Sequence, residues 1–218
     1  MVGYRDRRVM IDCGEDWLGR FQRRRPDAIV VTHAHPDHAW GLRDGAPCPV
    51  FATRDTWDRL GYDIADRRII GPYTPVRIAG ITFEAFPVEH STRAPAVGYR
   101  VTAAGVAIFY VPDLVYIYER RAALAGVQLY VGDGATVTRP LVRRRGRVLI
   151  GHASIGTQLG WCEKEGVPTA IFTHCGTEIL KADERRLAAR IRDMARERGV
   201  EAAIARDGLR LALRSTGV

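Results

Sequence analysis

Short apolar runs that end in a histidine, an aspartate or a turn set the rhythm of this chain. Residues 7–11 read as a strand leading to Asp12, and Ala28 to Val31 as another leading to Thr32-His33. Between them, Gly14 to Arg25 is a short helix or loop, punctuated by Pro26-Asp27. Residues 47–52 form a short strand. Thr53 is placed to cap a helix running to about Leu60, which Gly61 closes. From 76 to 87 apolar residues alternate (Val76, Ile78, Ile81, Phe83, Ala85) across Gly80, the period of half-buried strands in a hairpin. Ala96–Thr102 and Val106–Val111 are two further strands. Tyr116 to Ala125 reads as helical, Val127 to Val131 as a strand, and Val148 to Ile150 as a strand. Residues 154–165 predict a helix ending at Gly166, and 169–173 a strand that delivers His174. Leu187, Ile191, Met194 and Ala195 have helical spacing within 183–198, with Asp183 as N-cap and Gly199 as the stop. Ala202–Ala205 and Leu209–Leu213 predict a terminal hairpin around Asp207-Gly208. Strands and helices intermingle, so the class is α/β or α+β. Periodicity alone does not select the architecture.

At 218 residues the length predicts one domain spanning 1–218, large enough to bury a core without cross-links. The formal net charge of +8 favours an anionic partner or substrate. Nearly all of that charge is arginine, since Lys164 and Lys181 are the only lysines. The runs Arg23–Arg25 and Arg143–Arg145 read as solvated loops. Four cysteines (Cys13, Cys48, Cys162, Cys175) form no C-x-x-C pair, which argues against a zinc knuckle or a dithiol redox site. No secretory leader and no 18-residue apolar run is present, so the expectation is a cytoplasmic protein with reduced thiols and no membrane contact.

The chemistry concentrates at His33, His35, Asp37 and His38, four potential ligands in six residues directly after an apolar strand. Buried imidazoles and carboxylates need partners or a metal to offset desolvation. The mixed nitrogen and oxygen set suits zinc, manganese or iron better than calcium or magnesium. The remaining histidines are His90, His152 and His174. His90, Asp113 and His174 each follow an apolar run, where a sheet edge would present them to a shared site.

The motif His33-x-His35-x-Asp37-His38 resembles the signature of the metallo-β-lactamase superfamily, and the resemblance extends over nearly the whole chain. It implies a four-layer αββα sandwich with metals at one edge of two sheets. It further implies that His33, His35 and His90 hold one divalent ion, that Asp37, His38 and His174 hold a second, and that Asp113 bridges them. Asp12 matches the aspartate that orients the site from behind the ligands. Zinc is the first choice, with manganese as the alternative. The two ions would carry a hydroxide between them. Such proteins usually have one or two strands before the one ending at Asp12, so the usual first strand or strands are expected to be missing. Dimers are common among them, which leaves a homodimer open.

His152 has no place in that seven-ligand set. Gly151-His152-Ala153-Ser154, followed by a helix and the strand to His174, resembles the tRNase Z and PhnP-like phosphodiesterase branch. There the equivalent histidine protonates the leaving alkoxide or stabilises the phosphate, with an acidic partner at the position of Asp133. The Gly/Pro-rich arm of tRNA-processing relatives has no counterpart between His38 and His90. The substrate expected is therefore a small cyclic phosphodiester or a short nucleic-acid end. Arg139, Arg143 and Arg144 could meet its phosphate. The alternative in the same fold is hydrolysis of a thioester, lactone or β-lactam. An iron redox member ranks low because Asp37 stands where that type has Glu. A non-catalytic nucleic-acid-binding module would not need the intact ligand set.

Overall fold

The apolar alternation seen in the sequence resolves into two facing sheets, and the computed structural model describes residues 1–215 of the chain. The first sheet is built from β1 (Val2–Tyr4), β2 (Arg7–Ile11), β3 (Ala28–Val30), β4 (Val50–Ala52) and β5 (Arg67–Ile69), in that spatial order. Only β1–β2 is antiparallel; the rest run parallel. Parallel neighbours bring their C-terminal ends to one edge, where Asp12 and the His33–His38 segment emerge.

The second sheet contains β6 (Val76–Ile78), β7 (Ile81–Glu89), β8 (Ala96–Ala103), β9 (Val106–Tyr110), β10 (Tyr116–Ile117) and β11 (Leu129–Asp133). It is completed by β14 (Thr169–Thr173) and β15 (Glu201–Ile204). Its order is β10-β7-β8-β9-β11-β14-β15, with β6 beside β7. Here too β9, β11, β14 and β15 are parallel neighbours. A separate two-stranded ribbon, β12 (Leu141–Arg145) with β13 (Val148–His152), stands off both sheets.

Side-chain parity explains the layering. Val9, Ala28 and Val30 of the first sheet pack against Ile81, Phe83, Ala85, Tyr99 and Val101 of the second. The opposite parity of the first sheet (Met10, Ile29, Val31, Val50) meets Trp57 and Leu60 of α2 (Arg54–Leu60), which follows the short α1 (Pro36–Ala39). On the second sheet Phe86, Val88, Ala107 and Phe109 face outward. They meet α3 (Arg120–Leu124), α4 (Ile155–Glu165), α5 (Thr177–Leu180) and α6 (Glu184–Arg196) through Leu124, Leu159, Ile179 and Ile191. The result is helix, sheet, sheet, helix, the four-layer order expected.

The predicted caps form. Thr53 Oγ1 accepts from Thr56 N–H at 3.2 Å and Asp183 Oδ1 from Arg186 N–H at 2.9 Å; the structure adds a third cap, with Ser154 Oγ accepting from Thr157 N–H at 3.2 Å. Three expectations change. Residues 116–125 are not one helix: Tyr116 and Ile117 pair with Glu89 and Val88 at the sheet edge, and only then does the chain turn into α3. The terminal hairpin is absent among the described residues. β15 instead adds in parallel to β14, and Leu209, Leu211 and Leu213 are exposed with no strand partner. Arg143–Arg145 is a strand rather than a loop, because Gly146 turns it back onto Val148–His152. β1 pairs antiparallel with the strand that ends at Asp12. Gly14–Arg25 carries two 3₁₀ turns, Glu15–Trp17 and Phe21–Arg24.

Candidate metal and acid–base site

Every histidine in the chain, with Asp12, Asp37, Asp113 and Asp133, comes together where the strands of both sheets end. Three overlapping groups of side chains each present atoms within 4.8 Å of one another: His33, His35, His90 and Asp113; Asp37, His38, Asp113 and His174; and Asp113, Asp133, His152 and His174. Asp113, only 3% exposed, belongs to all three.

In the first group His33 Nε2 lies 3.0 Å from His35 Nδ1 and 3.3 Å from Asp113 Oδ2, while His90 Nε2 lies 3.3 Å from His35 Nδ1 and 3.4 Å from Asp113 Oδ2. Ligand atoms tetrahedrally arranged about 2.0–2.1 Å from a zinc ion are about 3.3–3.4 Å apart, so these spacings fit one. Hydrogen bonds behind the rings hold this arrangement. Thr32 Oγ1 contacts His33 Nδ1 at 3.0 Å, and His90 Nδ1 donates to the Gly151 carbonyl at 3.0 Å, leaving Nε2 of each ring facing the site.

In the second group His38 Nε2 is 3.2 Å from Asp113 Oδ2 and 3.5 Å from Asp37 Oδ2, and His174 Nε2 is 3.0 Å from Asp37 Oδ2. Asp12 fixes His38 from behind: its Oδ2 accepts from His38 Nδ1 at 2.9 Å, and its Oδ1 accepts from Thr32 N–H at 2.7 Å. Cys13 and Gly14 press against this segment. Cys13 N–H donates to the His38 carbonyl at 2.7 Å, and a Cβ on Gly14 would collide with the Asp37 carbonyl. Asp12 and His174 both hold left-handed backbone, with φ of 59° and 54°. Such a conformation costs on the order of 1–3 kcal/mol in a non-glycine residue. Each turns sharply off a strand end, which aims its side chain into the cluster.

Whether these residues suit a cation can be judged from their unmet hydrogen bonds. Buried polar atoms normally have partners. Among the described residues, three buried side-chain atoms have none: His38 Nε2, Asp113 Oδ1 and His174 Nδ1. Asp113 Oδ1 and His174 Nδ1 face each other at 2.9 Å without hydrogen-bond geometry. All three belong to the cluster, and the donor set is imidazole plus carboxylate. The cluster fits divalent metal binding.

The two halves are electrostatically unlike. Burial holds His33 and His35 below the ordinary imidazole range and pushes His90 down to about 4. Burial also opposes charge on His38 and His174, but carboxylates outweigh it. Asp12, Asp113 and Asp37 hold His38 well up, and Asp113 with Asp37 lifts His174 to about 10. Asp37, 57% exposed, is held far below the usual carboxylate range by His174 and His38.

The third group is built around a buried carboxylate–imidazole pair. Asp133 is fully buried at the end of β11, where the N–H groups of Leu114 and Ala135 donate to its carboxylate. Its Oδ2 accepts from His152 Nδ1 at 2.8 Å. Burial works against charge on His152, but Asp133 outweighs it and raises the imidazole. Gln158 holds Asp133 in place. Its Oε1 accepts from Asp133 N–H at 2.9 Å, and its Nε2 donates to the Asp133 carbonyl at 2.8 Å. Gln158 belongs to no motif of the sequence. The available signal was a polar residue among Ile155, Leu159 and Cys162 on the buried stripe of α4.

The structure thus gathers all ten residues singled out in the sequence. Cys175 is half-buried and outside the three groups, and burial raises its thiol. Arg139, Arg143 and Arg144 border a cleft of about 1120 Å³ that opens from His35, His90 and His152.

Comparisons with known proteins agree with this geometry. A family model described as the beta-lactamase superfamily domain matches residues 7–175. A ribonuclease Z from Mycolicibacterium paratuberculosis is 22% identical over 227 residues, covering 83% of this chain and 81% of that protein. Among solved structures, a diphosphatase of the PhnP family superposes with a TM-score of 0.71 at 21% identity, covering 97% of this chain and 82% of the other. The metallo-beta-lactamase fold protein YhfI from Bacillus subtilis gives a TM-score of 0.68 at 14% identity, covering 95% and 88%. No helix among the described residues is long and apolar enough to cross a membrane.

Proposed function

The chain belongs to the beta-lactamase superfamily, and from that premise we propose that it is a metal-dependent phosphodiesterase acting on esters with an alkoxide leaving group. Similarity to proteins named ribonuclease Z and diphosphatase supports hydrolysis at phosphorus. The observation that carries the reading is the His152–Asp133 pair beside the histidine cluster. His33, His35 and His90 would hold one divalent ion and Asp37, His38 and His174 a second, with Asp113 shared. Zinc is the first choice for this donor set and manganese the second. When bound, such ions polarise phosphoryl oxygens and acidify water enough for attack at neutral pH.

The protein's own groups supply the rest. Asp12 keeps the His38 ring turned so that Nε2 faces the cluster. Asp133 occupies Nδ1 of His152, which leaves Nε2 as the ring position free to give up a proton. Asp133 outweighs burial and raises the imidazole above its ordinary range, which favours the protonated form that a general acid needs. An alkoxide is a poor leaving group and needs that proton. A thiolate gains less from it, so this pair favours an oxygen ester over the thioester alternative, while the similarity to proteins named ribonuclease Z and diphosphatase favours a phosphodiester over a lactone or β-lactam.

The test is hydrolysis by metal-reconstituted protein of bis-p-nitrophenyl phosphate, of an alkyl phosphodiester, and of thioester and β-lactam probes. His152→Ala is expected to lower turnover of the alkyl ester by about 10²–10⁴-fold and that of the activated p-nitrophenyl ester by much less. Equal losses on both would remove the general-acid role of His152, and turnover of only the thioester or β-lactam would remove the phosphodiesterase assignment.

A further inference from the structure

The ribbon β12–β13 delivers His152 and holds His90 through the Gly151 carbonyl, and it also carries much of the protein's charge. From Arg139 to Arg147 there are five arginines and no carboxylate, in a chain whose net charge is +8. β12 is exposed along its whole length. No guanidinium from this segment is paired with a carboxylate among the described residues, whereas Arg7, Arg68 and Arg120 elsewhere are. Unpaired, closely spaced like charges repel, so the arrangement costs stability unless an anion is present.

The root of the ribbon is tied to the site. Gly151 N–H donates to the His90 carbonyl, Ala153 N–H to the Leu114 carbonyl, and Leu149 N–H to Glu89 Oε1. The ribbon therefore cannot swing independently of His90 and His152. Its register fixes which arginines follow the reacting end. Leu141 pairs directly with His152, Arg143 with Ile150, and Arg145 with Val148. Directly opposed residues share a face of an antiparallel pair, and alternate residues along a strand share it too. Arg143 and Arg145 thus stand on the face that carries His152, about 7 and 14 Å along β12 from the position opposite it. Arg144 borders the same cleft but has its Cβ on the reverse face.

We infer that this ribbon is a binding strip for successive phosphates of a single-stranded nucleic acid whose scissile end lies at His152. The inference rests on the phosphodiesterase reading and narrows it. A cyclic nucleotide has one phosphodiester and would leave Arg143 and Arg145 unused. The cleft, at about 1120 Å³, exceeds the ~300–1,000 Å³ usual for small-molecule pockets. An extended strand of nucleotides fills it and meets a cation at roughly each phosphate step. A flat anionic surface could not follow the cleft down to His152.

The experiment is equilibrium binding, by fluorescence anisotropy, of labelled hydrolysis-resistant phosphorothioate single strands of one to eight nucleotides to the zinc-loaded protein across a salt series. Affinity is expected to rise with the first three or so nucleotides and then level off. In Arg143→Gln/Arg145→Gln the rise is lost, and the slope of log affinity against log salt becomes shallower by about 1.4, at about 0.7 for each phosphate contact removed. Arg144→Gln is expected to change the slope by less than either single face variant. Inorganic polyphosphate, with closer charges, should compete more weakly at equal phosphate concentration. Length-independent affinity, an Arg144→Gln effect as large as that of Arg143→Gln, or equal competition by polyphosphate overturns the proposal. Hydrolysis of the small phosphodiesters, measured alongside, separates the two readings. Length-dependent binding without any hydrolysis leaves the strip standing and removes the enzyme assignment, and hydrolysis with flat binding does the reverse.

Discussion

The two halves of the histidine cluster share Asp113 but differ in what burial has done to them. His33, His35 and His90 are held as neutral imidazoles because few opposing charges compensate their desolvation. His38 and His174 hold protons because Asp12, Asp113 and Asp37 surround them. The first half presents lone pairs ready for a cation, while the second must release protons to accept one. The same residue types therefore make two electrostatically unlike groups, and the neighbouring carboxylates decide which is which.

The largest effect should come from the residue the halves share. Asp113→Asn removes the carboxylate common to both, so metal content by elemental analysis should fall for both sites. Phosphodiester hydrolysis should drop by at least about 10³-fold, the equivalent of several kcal/mol of lost charge stabilisation. Retention of one tightly held ion would mean the halves are independent.

Acid and alkali should act on opposite halves of the metal-free protein. His90 titrates near 6.5 when unfolded and at about 4 when folded, so the unfolded chain binds the proton first as pH falls. Its contribution to stability is present above about pH 6.5 and lost on acidification toward about 4. His174, lifted to about 10, contributes below about pH 6.5 and loses that contribution as pH rises toward about 10. Denaturant titrations across pH should show losses on the order of a few kcal/mol in each direction. His90→Gln should flatten the limb between about pH 6.5 and 4 without touching the alkaline limb, and only His174→Gln should flatten the alkaline limb. Identical profiles for the two variants would erase the distinction.

A smaller and more selective effect is expected from Asp12→Asn, which leaves every direct ligand in place. Loss of the carboxylate behind His38 should weaken the second ion by about 10–100-fold and leave the first unchanged. Calorimetric titration resolves the two binding events. An equal weakening of both would show that Asp12 supports the whole cluster through Thr32 rather than His38 alone.

Much of this was legible in the chain. His33 to His38 are local, and a strand followed at once by four ligands can hardly fold any other way. His90, Asp113 and His174 were also readable, because each ends an apolar run and strand ends collect at a sheet edge. The misread elements were those whose partners lie far away in sequence. Tyr116-Ile117 became a strand only because β7 offered Glu89 and Val88, and Glu201–Ile204 took β14 as a parallel neighbour instead of folding back on Leu209–Leu213. Arg143–Arg145 looks like a solvated loop in isolation, since its pairing with Val148–His152 adds little apolar burial for periodicity to register.

The sequence by itself determined the imidazole and carboxylate donor types and the alternation of apolar positions along the strands, because both depend on residue type and on a period of two. Tertiary structure alone decided that Asp113 is shared among three groups, that Asp133 reaches His152 with Gln158 behind it, and that one set of histidines is neutral while the other is charged. Those outcomes depend on desolvation and on distances of about 3 Å between residues far apart in the chain, quantities that exist only once the strands have been brought together.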